Sequence, residues 1–160
     1  TVVATTAIPP TPTSSLSFKY IVQSGSPVYL ANFANSTAGC SWQGIGGQVF
    51  SAAGVPITNL VVKAGGSWNG TTAASLGLGL TGAASQYGEG GYEIQLGNVA
   101  VNTNGTVWIQ VYDIASKAMS DKLYVNTYTD CARNLTLLNF IEKTPGYNIY
   151  VPMVMNTPTP

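Results

Sequence analysis

Thr106-Val107-Trp108-Ile109-Gln110-Val111-Tyr112 decides the fold class. In an extended chain successive side chains point to opposite faces, so Val107, Ile109 and Val111 share one side and Trp108, Gln110 and Tyr112 the other. A β-branched apolar row backed by amphipathic rings and an amide suits a strand with one face in a core. The first row is expected to point between two sheets, with Leu123, Val125, Leu135 and Leu137 among its neighbours.

Working outward, period-two segments recur at Phe18–Gln23, Val28–Phe33, Gly44–Phe50, Leu60–Ala64, Ser75–Leu80, Tyr92–Leu96, Leu123–Thr127 and Leu135–Ile141. Turn signals punctuate them at Gly54-Val55-Pro56, Asn69-Gly70, Asn104-Gly105 and Pro145-Gly146. No stretch keeps a 3.6-residue period for three turns. Short strands at this spacing predict an all-β, two-sheet antiparallel sandwich. The body spans 17–144, between an extension over 1–16 and a C-terminal strand and Thr/Pro tail over 145–160.

Composition limits the partners. Of 160 residues only 8% are charged, six basic against six acidic, where about 25% is usual. Thr, Ser and Asn must therefore supply the surface polarity. No basic footprint for nucleic acid exists, and no apolar run is long enough to insert in a membrane. Histidine is absent, which removes the commonest general base and the commonest metal ligand.

Cys40 and Cys131 are an even count consistent with one disulfide, the alternative being two buried thiols in a reducing compartment. The bond would close a 91-residue loop, worth about 4–5 kcal/mol on the chain-entropy model. N-x-S/T sequons at Asn35, Asn69, Asn104 and Asn134 are candidate glycosylation sites. A start at Thr1, low charge and a cysteine pair fit a secreted, processed chain at the cell surface.

Residues that could carry chemistry do not assemble into a site. Ser120-Asp121 fits a turn cap better than a nucleophile and its base. Glu89 and Glu93 flank a Gly90-Gly91 turn, unlike two acids facing each other across a cleft. Asp113, Asp121 and Asp130 are too dispersed for a calcium loop. Gly44-Ile45-Gly46-Gly47 lacks the lysine of a phosphate loop and reads as a strand where backbone approaches backbone. No enzyme, cofactor or metal is expected. Trp42, two residues after Cys40, sits where a ring packs on a disulfide, and Trp68, beside Asn69-Gly70, is expected in a loop and exposed.

Gly47-Gln-Val-Phe-Ser-Ala-Ala-Gly54-Val-Pro56 followed by Leu60-Val-Val62, and Gly91-Tyr92-Glu93-Ile94-Gln95-Leu96, resemble carboxypeptidase-regulatory-like, prealbumin-type domains. Cys40-Ser-Trp42-Gln-Gly44, Tyr87-Gly88-Glu89-Gly90-Gly91 and Asp130-Cys131-Ala-Arg-Asn134 are similar to the same kind of domain in secreted surface proteins of Chloroflexota-type bacteria. The likeness covers about residues 38–142. It implies an Ig-like, non-catalytic, extracellular sandwich and names no ligand.

The tails are read on their own physics. Val2, Val3, Ala4, Thr5, Thr6, Ala7 and Ile8 form a short uncharged β-competent run, followed by the stiff spacer Pro9–Ser15. This run could add to a sheet edge of another copy, pair with its own sandwich, or serve as a linker; Tyr147–Met155 is the rival donor. The expectation is a structural subunit of an extracellular filament, a head-to-tail homopolymer joined by donor-strand exchange. The alternative is a carbohydrate-binding or adhesion module whose partners are surface glycans.

Overall fold

The computed structural model describes residues 18–144. The candidate donor strand Val2–Ile8 and its rival over 147–155 lie outside the described residues. Ten strands build two sheets: β1 (Tyr20–Val22), β2 (Val28–Leu30), β3 (Gln43–Phe50), β4 (Val61–Trp68), β5 (Thr71–Leu80), β6 (Gly91–Gly97), β7 (Thr103–Tyr112), β8 (Leu123–Thr127), β9 (Leu135–Leu137) and β10 (Phe140–Glu142).

One sheet runs β5-β4-β7-β8 and is antiparallel throughout. The other is mixed, which corrects the expectation of two antiparallel sheets. In it β3 pairs antiparallel with β6 but parallel with β9 and β10, which lie one after the other along it. The short strands β1 and β2 pair in the same order with β10 and β9. The fold is an all-β two-sheet sandwich. The β4–β5 hairpin turns on Asn69 and Gly70, both at positive φ (46° and 76°), the backbone a tight two-residue hairpin demands.

Between the sheets, Val107, Ile109 and Val111 are fully buried, with Ile45, Val49, Val62, Tyr92, Ile94, Val125 and Phe140 around them. The alternation of the decisive stretch is thus the alternation observed. Leu123 packs at the rim of this core.

Leu135 and Leu137 do not join it, a correction with a clear cause. Both belong to a second apolar cluster with Trp42, Ala84 and Tyr87, while the core takes Leu138 and Phe140. Residues 135–141 are not one strand. The ladder is interrupted after Leu137, where Leu138 N–H bonds the Gly46 carbonyl at 2.8 Å and the Asn139 side chain accepts from Gln48 N–H at 2.9 Å. The register against β3 is kept, with Leu137 opposite Gly46 and Phe140 opposite Val49. Alternation therefore runs through the stretch: Leu135 and Leu137 face the second cluster, Leu138 and Phe140 the core, and the expectation took the wrong face of it.

Glycines make room for the second cluster. A Cβ on Gly44 would strike the Trp42 ring, and one on Gly46 the Tyr87 ring. The Gly44-Ile45-Gly46-Gly47 run is the crowded strand that its composition indicated.

Candidate functional site

Strand directions give the sandwich two unlike poles. Phe18 and Thr144, the first and last described residues, leave side by side at one pole: Lys143 N–H bonds the Lys19 carbonyl at 2.9 Å, and Lys19 pairs with Glu142 at 3.3 Å. The disulfide, the β4–β5 turn and the approach to β7 lie at the other.

At the first pole a groove of about 160 Å³ opens between β1 and the start of β8, with Tyr20, Val22, Leu123 and Phe140 in its walls. Tyr20 bridges Ser120 in parallel and its N–H bonds the Met119 carbonyl at 2.9 Å, which closes one end. Among the described residues β8 pairs only with β7, leaving its other edge free of a strand partner. Tyr124 is 57% exposed there and Ile21, on β1, 42%. An unpaired, weakly charged edge is a template for another strand.

At the second pole Gln43, 1% exposed, joins the two sheets. Its Nε2 donates to the carbonyls of Val101 (3.1 Å) and Tyr128 (2.9 Å), and its Oε1 accepts from Val101 N–H (3.0 Å) and Trp68 Nε1 (2.6 Å). Trp68 is therefore the buried last residue of β4, not an exposed loop residue; its ring lies over Gly97, where a Cβ would collide with it. Cys40 and Cys131 are bonded, with Cα atoms 4.9 Å apart. Beside them the Asn134 amide donates to the carbonyls of Gly39 (2.8 Å) and Trp42 (3.0 Å) and its oxygen accepts from Asn32 N–H (2.9 Å).

That arrangement removes Asn134 from the candidate glycosylation sites. Its nitrogen is spent on two carbonyls and the residue is 2% exposed. Asn35, Asn69 and Asn104 are exposed. Asn69 and Asn104 line one hollow of about 440 Å³, and Asn102, Thr103 and Asn104 separate it from a second of about 470 Å³.

The second hollow is lined by amides and hydroxyls. Asn102 Oδ1 accepts from Thr129 N–H at 2.8 Å and Asn126 Oδ1 from Gly105 N–H at 2.9 Å. Arg133 lies over the Tyr128 ring at 4.1 Å while its Nε bonds Asp130 at 3.1 Å. The backbone N–H of Ala132 and the Arg133 guanidinium hold the Asp130 carboxyl below its usual range. Sequence reasoning missed this hollow because its polar residues are scattered over β7, β8 and the turn after it. The abundance of Asn and Thr was its one trace.

Ser120 Oγ accepts from Val111 N–H (2.9 Å) and donates to the Asp121 carbonyl (2.9 Å), the local cap that the pair suggested. Glu93 accepts from the Tyr87 hydroxyl at 2.8 Å. Among the described residues no three His, Cys, Asp or Glu side chains gather as a metal site, and no helix is long and apolar enough to cross a membrane.

No family model and no curated protein matches the chain. A solved structure, the dioxygenase domain of a novel dioxygenase carbohydrate-binding protein fusion from the cellulolytic bacterium Streptomyces sp. SirexAA-E, is similar over 74% of this chain and 83% of that one, at 16% identity and a TM-score of 0.37. So low a likeness says nothing of what this chain does.

Proposed function

We propose that the chain is a non-catalytic structural subunit of an extracellular filament or surface appendage, joined head to tail to other copies by β-strand addition. The observation that supports this most is the groove between β1 and β8, lined by Tyr20, Val22, Leu123 and Phe140 together with Asp121 and Lys122, and flanked by an edge with no strand partner among the described residues. The proposed occupant is Val2–Ile8 of another copy. Seventeen residues precede Phe18 at this same pole, and Pro9–Ser15 at about 3.1 Å per residue would reach about 20 Å. The added strand would satisfy the open edge of β8 and order a run too short to be stable alone. A disulfide persists in oxidising compartments, in keeping with an extracellular setting. The likeness to carboxypeptidase-regulatory-like, prealbumin-type domains of secreted surface proteins agrees with it.

The test is a deletion of residues 1–8 followed by negative-stain imaging and thermal melting. The expected result is a domain that melts as the full chain does and forms no regular fibre. The same fibre from the truncated chain, or a full chain that stays monomeric at every concentration, would overturn the reading.

A second reading, an adhesion or carbohydrate-binding module, is favoured by one specific observation: the amide-lined hollow at the pole opposite Phe18 and Thr144.

A further inference from the structure

We infer that the hollow between the start of β7 and the end of β8 binds acidic saccharides, uronic-acid oligomers rather than neutral ones. The inference rests on the second reading and supplies its ligand class.

Several polar atoms of the hollow are already used. A backbone N–H can bond only the oxygen of a carboxamide, so Thr129 N–H and Gly105 N–H fix the orientation of Asn102 and Asn126 without ambiguity. The oxygens are engaged in holding the turns, and the two NH₂ groups remain. The hydroxyls of Thr103 and Thr127 are directed inward as well. Thr127 Oγ1 donates to the Val101 carbonyl at 2.6 Å, so the Thr103 hydroxyl supplies the proton of the 3.0 Å contact between the two threonines. Arg133 uses Nε on Asp130. Among the described residues its two terminal nitrogens make no hydrogen bond, and its plane is held over Tyr128, which Tyr29 braces edge-on at 4.9 Å.

The hollow therefore offers mainly donors: two amides and the planar fork of a guanidinium. A neutral sugar presents hydroxyls that must both give and take hydrogen bonds, and their protons would find few acceptors here. A carboxylate has acceptors alone and matches a guanidinium bidentately. Desolvating an unmatched donor costs more than a matched one returns, so the carboxylated sugar is favoured. Asn104, exposed at the divide between the hollows, and the exposed Thr129 give mixed contacts for sugar hydroxyls. A volume of about 470 Å³ admits one or two sugar rings.

The test is calorimetric titration of the full chain, produced without glycan, with galacturonate oligomers and with neutral gluco-oligomers of equal length. Acidic oligomers are expected to bind at least tenfold more tightly. Asn102→Asp and Asn126→Asp keep the oxygen that each turn requires while replacing NH₂ by a second oxygen. Each should lower acidic-oligomer affinity tenfold or more with the melting temperature unchanged. Arg133→Gln, at an exposed position, should do the same and serves where an Asp variant fails to fold. Neutral oligomers binding as tightly as acidic ones would overturn the acidic class and leave the saccharide reading standing. Binding of neither would overturn both. Acidic binding unaffected by all the variants would overturn the placement in this hollow.

Discussion

The indole nitrogen of Trp68 donates to Oε1 of Gln43 at 2.6 Å, tying the last residue of β4 in one sheet to the first residue of β3 in the other. With its three further bonds, to Val101 N–H and to the carbonyls of Val101 and Tyr128, this amide holds the loop-rich pole together from within.

Replacing it should be costly in a diagnostic way. Gln43→Leu leaves two donors and two carbonyls without partners in a buried site, and is expected to lose more than about 3 kcal/mol in urea unfolding. Gln43→Glu distinguishes hydrogen bonding from packing. Two carbonyls face the position, so a glutamate there would be held protonated and its folded pKa raised above the unfolded value of about 4.3. Its stability should then be fullest below about pH 4 and fall as pH rises; a pH-independent deficit would contradict this account.

Ile109 sits at the centre of the main core with no exposure. Ile109→Ala should cost about 2–5 kcal/mol, whereas Leu135→Ala should disturb the second cluster around Trp42 and change tryptophan fluorescence more than Ile109→Ala does. Equal spectral effects would mean that the two clusters are not separate packing units.

Gly65 lies under the Trp108 ring on the outer face of the antiparallel sheet, with the Lys122 ammonium 4.2 Å from the ring's centre on the exposed side. Gly65→Ala is expected to displace the indole and cost about 1–3 kcal/mol. A melting temperature within a degree of the parent would show that the ring has somewhere else to go.

How much of this was legible in the sequence depends on where the information lies. Val107, Ile109 and Val111 declare their face because nothing interrupts the period, and Cys40 and Cys131 had only each other. Leu135-Thr-Leu-Leu138 hid which face meets the core: leucines stand on both faces, and the residues that sort them, Trp42 and Tyr87 on one side and Ile45 and Val49 on the other, are distant in the chain. Trp68 beside Asn-Gly read as loop, although the ring is held by Gln43, 25 residues earlier. Asn134 matched a sequon, and only its partners Gly39, Trp42 and Asn32 show that the amide is structural. The donor-lined hollow was invisible for the same reason, since spatial convergence leaves no local pattern.

Alkali should be a sharper stress than mild acid. Burial pushes the phenols of Tyr87 and Tyr92 well above their ordinary value of 10.0, and Tyr92 donates to the Leu138 carbonyl at 2.7 Å. Both folded pKa values are raised, so their contribution is intact below about pH 10 and is lost above it, as the unfolded chain ionises and the folded one resists. Denaturant midpoints should be nearly level from pH 6 to 9 in a chain without histidine, then fall. Tyr92→Phe should flatten that fall; an unchanged slope would assign it elsewhere.

Because Phe18 and Thr144 leave together from the antiparallel pair β1–β10, a pull on the two ends peels that pair open one bond at a time, a weak mechanical geometry. The peeling meets a stop. Beyond Cys40 on one side and Cys131 on the other, the 91-residue span is locked by the disulfide and cannot lengthen. Under tension the domain would pay out only 18–40 and 131–144, behaving as a short tether with a fixed limit, and single-molecule pulling should show the limit vanish when the bond is reduced.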